Sequence, residues 1–212
     1  MRVPVFCLLT LFFLPTAAAQ PAGDPPSIDE AAYARITTSL GIIDVALFRE
    51  DAPISTQNFL EYATSGFYDQ LIFHRVIDGV LIQGGGYSRF LSQRATRDTI
   101  VNEATNGLKN TRGTLGMARY DEPDSATSQF YINLQDNPNL DRTGDVYKLD
   151  AGYAVFGEVV SGMDVADAIG AVETGPAERG TVRFESEVPV EPILILRIDP
   201  IAESDVGNGV AP

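Results

Sequence analysis

Apolar positions along the chain fall into short runs separated by turn-forming residues, not into long helical stripes. Tyr33–Thr38 and residues 42–47 are rich in β-branched side chains and flank Ser39, Leu40 and Gly41, the pattern of a hairpin. Further strand candidates are 71–76, 80–83, 115–118, 129–134, 154–160 and 192–198, set apart by clusters of Gly, Asn and Asp. Two segments change period. Thr56, Phe59, Leu60 and Ala63 recur at helical spacing after Glu50, Asp51 and Pro53 and before Gly66, so an acidic start, an apolar face and a glycine stop coincide. Met163, Ala166 and Ile169 form a second stripe, with Ser161 and Asp164 at the spacing of a capping box. The helices do not alternate with strands as βαβ units require, which predicts a closed barrel or a sandwich.

The ends read differently. Arg2, an apolar run over 3–14 and Ala17, Ala18 and Ala19 before Gln20 have the layout of a secretory signal peptide, residues 1–19. The run is well short of the roughly 20 residues a spanning helix needs. Residues 20–31 begin rich in Pro and small side chains and read as a linker. Residues 32–200 form the folded domain, and 201–212 read as a flexible acidic tail. Cys7, the single cysteine, lies in the signal segment, so the processed protein carries no thiol, in keeping with a bacterial periplasm.

At 212 residues, 44% of them hydrophobic, the chain can build one medium domain with a core. Fifteen Lys and Arg against 29 Asp and Glu give a net charge of −14. Removing Arg2 leaves 14 − 29 = −15. That field disfavours nucleic acid and, once the signal is cleaved, an anionic membrane surface.

Candidate chemistry narrows quickly. His74 is the single histidine, no HExxH pattern exists, and no thiol remains after processing, so the sequence calls for no metal and no cofactor. Between Phe73 and Arg75 in a strand pattern, His74 reads as a buried structural residue. Gly84, Gly85 and Gly86 lack the spacing of a phosphate loop and read as a tight turn leaving a strand. Arg89, Arg94 and Arg97 read as a solvated loop. Arg75 and Gln83 differ, being polar within apolar strand runs. Strand alternation puts Arg75 on the face of Phe73, and Gln83 on that of Leu81. Two readings stay open: a groove with fixed hydrogen-bond donors, or a structural ion pair.

Four blocks then stand in order: FHRVIDGVLIQGGG at 73–86, NTRGTLGMAR at 110–119, SATSQFYIN at 125–133 and YAVFGEVVSGMD at 153–164. They resemble the cyclophilins, a family of peptidyl-prolyl cis-trans isomerases, and are most similar to its secreted bacterial branch; the likeness runs from Tyr33 to Ile198. The resemblance implies a mainly β fold, a closed eight-stranded antiparallel barrel capped by two α-helices, with an active groove on its outer wall. It implies Arg75 as the catalytic group and Gln83 as a substrate-binding amide. Leu81, Val80, Met117, Tyr131, Leu140 and Tyr153 fall at positions lining the proline pocket, and Ala118 and Arg119 in the segment whose backbone pairs with the peptide. His74 and Phe73 stand behind these contacts. Val80 replaces a usual phenylalanine, Asn139 a common tryptophan and Tyr153 a common histidine; Tyr131 adds a hydroxyl to a ring expected to be bare, Arg119 replaces an asparagine, and 141–152 is longer than usual. The implied activity is isomerisation of Xaa-Pro bonds in unfolded or exported proteins. The altered pocket motivates an alternative, a module that binds proline segments with little turnover.

Overall fold

In the structure, a computed structural model that describes residues 26–144 and 148–209, the eight predicted strands all form. In chain order the elements are β1 (Tyr33–Thr38), β2 (Gly41–Leu47), α1 (Pro53–Thr64), β3 (Leu71–Ile77), β4 (Leu81–Ser88), β5 (Thr114–Met117), β6 (Phe130–Asn133), β7 (Val155–Ser161), α2 (Met163–Gly170), β8 (Thr174–Arg179), β9 (Val182–Pro189) and β10 (Leu194–Ile201). Eight strands close an antiparallel barrel in the order β1-β10-β3-β4-β6-β5-β7-β2, and β8 and β9 form a separate hairpin. The barrel resolves the choice between barrel and sandwich, and closure leaves no unpaired edge. Inward positions fill one core in which Phe59 of α1 meets Tyr68, Phe130 and Phe156 at ring distances of 5.3 to 5.5 Å. The predicted signal peptide lies outside the described residues.

Both helices form, with different starts from those expected. No acidic residue lies in the first turn of α1, and Ala52 offers no capping side chain. Glu103, far along the chain, supplies the anion instead: its carboxylate accepts from the N–H groups of Ile54 and Ser55 at 3.0 and 2.7 Å and from the Ser55 hydroxyl. For α2 the cap is Gly162, in the left-handed region at φ +83, and no side chain closes a capping box. Gly162 is required for a second reason, since a Cβ there would collide with the Ile42 carbonyl oxygen.

Three further expectations are corrected. Gly84, Gly85 and Gly86 do not leave the strand; they lie inside β4. A Cβ on Gly86 would strike the Gln129 side chain at 2.7 Å, so close approach explains the glycine. The described parts of both predicted tails are tied down. Arg49 donates to the carbonyls of Ile28 and Ala31, and Ile28 packs on the core. Beyond β10, the Asp205 carbonyl accepts from Arg35 and the Gly207 N–H donates to Asp44, the partner of Arg35 in a bidentate ion pair.

The third correction bears on the site. Phe73 and Arg75 do not share a face. Phe73 pairs with Gly84 and Arg75 with Gln83, so β3 uses two steps where β4 uses one. This bulge breaks the alternation: Phe73 and Val76 enter the core, whereas His74 is covered by Tyr87 and Phe184 at ring distances of 4.7 and 5.8 Å. Arg75 is left half-buried on the outer wall.

His74 is 2% exposed and its Nδ1 has no hydrogen-bond partner. Burial is the main cause that pushes its pKa down to about 4. Below the ordinary value of about 6.5 the unfolded chain therefore takes up a proton that the folded chain refuses, and stability falls as pH drops from there toward 4. Relative to His74→Phe, which cannot titrate, the native protein is expected to lose on the order of 1 kcal/mol between pH 7.5 and 5.5 in urea denaturation. Parallel pH profiles for the two proteins would contradict the assignment. Glu103→Ala is expected to lower stability by about 1 kcal/mol, read as an earlier denaturation midpoint.

Candidate active site on the barrel wall

Strand register builds the site. Arg75 of β3 pairs with Gln83 of β4, Gln83 with Tyr131 of β6, and Tyr131 with Gly116 of β5. Directly opposed residues project from the same side of a sheet, so these form one row across four strands on the outer wall. Gly116 matters by what it lacks: a Cβ there would overlap the Tyr131 ring, which lies across that position.

The Arg75 guanidinium is 37% exposed in its side chain. Its Nε donates to Glu187 of β9 at 2.6 Å, and its Nη1 stands 3.5 Å from the Gln83 Oε1, a marginal contact. Gln83 in turn donates from Nε2 to the Gln129 Oε1 at 2.9 Å, which fixes the amide with its oxygen toward Arg75. The fork is thus paired with an acid, yet it remains outside the barrel and open to solvent.

Tyr131 is 3% exposed. Its hydroxyl, the group that departs from a bare ring, is satisfied by donation to the Asn110 Oδ1 at 2.6 Å, and burial raises its pKa well above the ordinary value. Asn110 is anchored by the Asp141 carboxylate through both its backbone and side-chain N–H groups. Beside Tyr131 stands Tyr153, edge to face at 6.1 Å, and the Arg119 guanidinium lies over the Tyr153 ring at 4.5 Å. The Tyr153 N–H donates to the Leu140 carbonyl at 2.9 Å, which brings half-buried Leu140 to the same cluster. A hollow of about 80 Å³ opens among Gln83, Ala118, Arg119, Tyr120, Thr127 and Gln129.

Some expected contacts are arranged otherwise. Leu81 is buried on the outer face, outside the core cluster, in the row next to Gln83. Val80 is half-buried in the turn before β4, its carbonyl accepting from Leu134 and from the Asn137 side chain. Met117 points inward and belongs to the core cluster. The Ala118 N–H already donates to the Gln129 carbonyl at 3.0 Å. Phe73 is wholly in the core. Sequence reasoning missed Gln129, Asn110 and Glu187. Gln129 stands in the SATSQFYIN block as a polar residue at a strand start, which was a usable signal; Glu187 lies 112 positions from Arg75 and offered none. A larger groove, about 680 Å³, runs along α1 past Ile54, Gln57 and Ile100 and contains none of the predicted site residues.

Comparison with known proteins agrees with this architecture. Residues 33–199 match the family described as cyclophilin type peptidyl-prolyl cis-trans isomerase/CLD. The chain is 51% identical over 163 residues to peptidyl-prolyl cis-trans isomerase A of Dickeya dadantii, covering 76% of this chain and 80% of that one. It is 49% identical over 158 residues to peptidyl-prolyl cis-trans isomerase B of Escherichia coli, covering 74% and 93%. Among solved structures, a cyclophilin type peptidyl-prolyl cis-trans isomerase of Cryptosporidium parvum superposes with a TM-score of 0.63 at 27% identity, over 82% of this chain and 99% of that one. A second structure of that protein, obtained in the presence of the dipeptide Ala-Pro, gives 0.62 at 28% identity, covering 81% and 99%. On the barrel and on these matches, the chain belongs to the cyclophilin-type peptidyl-prolyl cis-trans isomerases.

Proposed function

We propose that this isomerase acts on Xaa-Pro segments of unfolded or exported proteins and that Arg75 supplies the stabilising contact. The observation that carries the reading is the row of Arg75, Gln83 and Tyr131 on one outer face, with the guanidinium held at one edge and open to solvent. Rotation about a prolyl amide faces about 20 kcal/mol because resonance is lost at the perpendicular geometry. At that geometry the prolyl nitrogen becomes pyramidal and regains a lone pair, which the planar ground state does not offer. A guanidinium N–H aimed at that nitrogen binds the twisted state in preference to either planar one, and no covalent step is needed. Gln83 and the Ala118 carbonyl hold the peptide beside it, while Leu81, Tyr131, Leu140 and Tyr153 supply apolar surface for the proline ring, so that the carbonyl side turns against a fixed ring.

Action outside the cytosol is supported by Arg2, the apolar run over 3–14 and the small residues before Gln20. Expressed with its full sequence in a bacterium, the protein is expected in the periplasmic fraction with a mass that lacks residues 1–19. A cytosolic product of full mass would overturn this part of the reading.

Arg75→Ala is expected to fold normally, since the side chain is half-exposed, and to slow exchange in a short proline peptide by at least about tenfold, about 1.4 kcal/mol in the barrier. Arg75→Lys is expected to leave that loss in place, because an ammonium lacks the planar fork. Wild-type exchange in Arg75→Ala would refute the role.

A further inference from the structure

Arg75 receives its acidic partner from outside the barrel, and the delivery depends on an irregularity in the hairpin. Gly175 pairs with Val188 and Ala177 with Phe184, so Glu185, Ser186 and Glu187 of β9 face Pro176 alone. Proline has no N–H to place in the ladder, and β9 bulges there. The hairpin is fastened on the turn side of this bulge. Phe184 lies against His74 and Tyr87 at ring distances of 5.8 and 5.3 Å, and Arg179 donates to the Phe90 carbonyl at 2.7 Å.

We propose that Glu187 is a positioning residue for isomerisation, holding the Arg75 guanidinium by its Nε so that the Nη edge is presented to the twisting amide. The inference rests on the reading of Arg75 given above. Members of this pair are 37% and 38% exposed, a setting in which an ion pair adds little stability, so its consequence lies in orientation. Nε sits on the stem side of the fork, and its capture restrains the last side-chain torsions while Nη1 faces Gln83. Nη2 has no hydrogen-bond partner among the described residues. A fork already oriented loses less freedom on reaching the transition state than one that must be caught from many rotamers.

The test is exchange in a short proline peptide, with kcat and KM resolved. Glu187→Ala is expected to lower kcat by at least about fivefold and leave KM within about twofold, because the contact matters in the twisted state only. Glu187→Gln retains an oxygen that accepts from Nε and is expected to restore kcat to within about twofold of wild type. In an Arg75→Ala background, Glu187→Ala is expected to change nothing further. Wild-type kcat in Glu187→Ala overturns the inference, as does a Glu187→Gln variant as slow as Glu187→Ala. Failure of the Arg75 reading looks different: Arg75→Ala itself would then turn over at the wild-type rate.

Discussion

One extra residue in β3 decides which side of the barrel its polar residues occupy. Were the strand regular, Arg75 would share the face of Phe73, which is wholly buried among the core aromatics, and a guanidinium would have to enter that core without water. The bulge at His74 removes this conflict. Phe73 and Val76 both point inward, and the two residues between them both point out. His74 is then covered by the β8–β9 hairpin as a neutral imidazole, while Arg75 stays open and falls into register with Gln83 and Tyr131. Removing the bulge would therefore disturb core packing and the outer row together.

The row also depends on what its neighbours omit. Tyr131 brings a buried hydroxyl, which costs free energy unless it finds an acceptor, and the Asn110 oxygen provides one. Its ring needs room across β5, and Gly116 leaves that room. Gln83 needs an acceptor to hold its amide, and Gln129, itself accommodated by Gly86, supplies it. Arg75, Gln83 and Gln129 thus form a polar chain along the outer wall, with Glu187 at the Arg75 end. Tyr131, Tyr153 and Arg119 continue the wall as edge-to-face rings and a cation.

The sequence made the eight barrel strands and both helices legible because each buries a periodic apolar face, as at Ile36, Ile43 and Phe59. Order in space and in sequence differ most where signals were weakest. The β8–β9 hairpin escaped notice since its strands, TGPAER and VRFESEVP, are largely open and polar and anchor through single residues such as Phe184. The Glu103 cap of α1 joins residues nearly 50 positions apart, and no local pattern encodes it. Strict alternation misled at Phe73 and Arg75, where a bulge overrides period two; Met117, set at the pocket by the family resemblance, turns into the core instead. Arg75 and Gln83 were visible as polar interruptions of apolar runs; Glu187 could be found only in three dimensions.

Where a proline peptide docks on this wall is open to direct observation by NMR, following the side-chain N–H signals of Arg75 and Gln83 during titration with a short Xaa-Pro peptide. The account predicts that these signals, with the backbone amides of Tyr131 and Tyr153, shift together while those of Ile54 and Ile100 along the α1 groove stay fixed. Shifts confined to the α1 groove, with Arg75 and Gln83 unmoved, would contradict it.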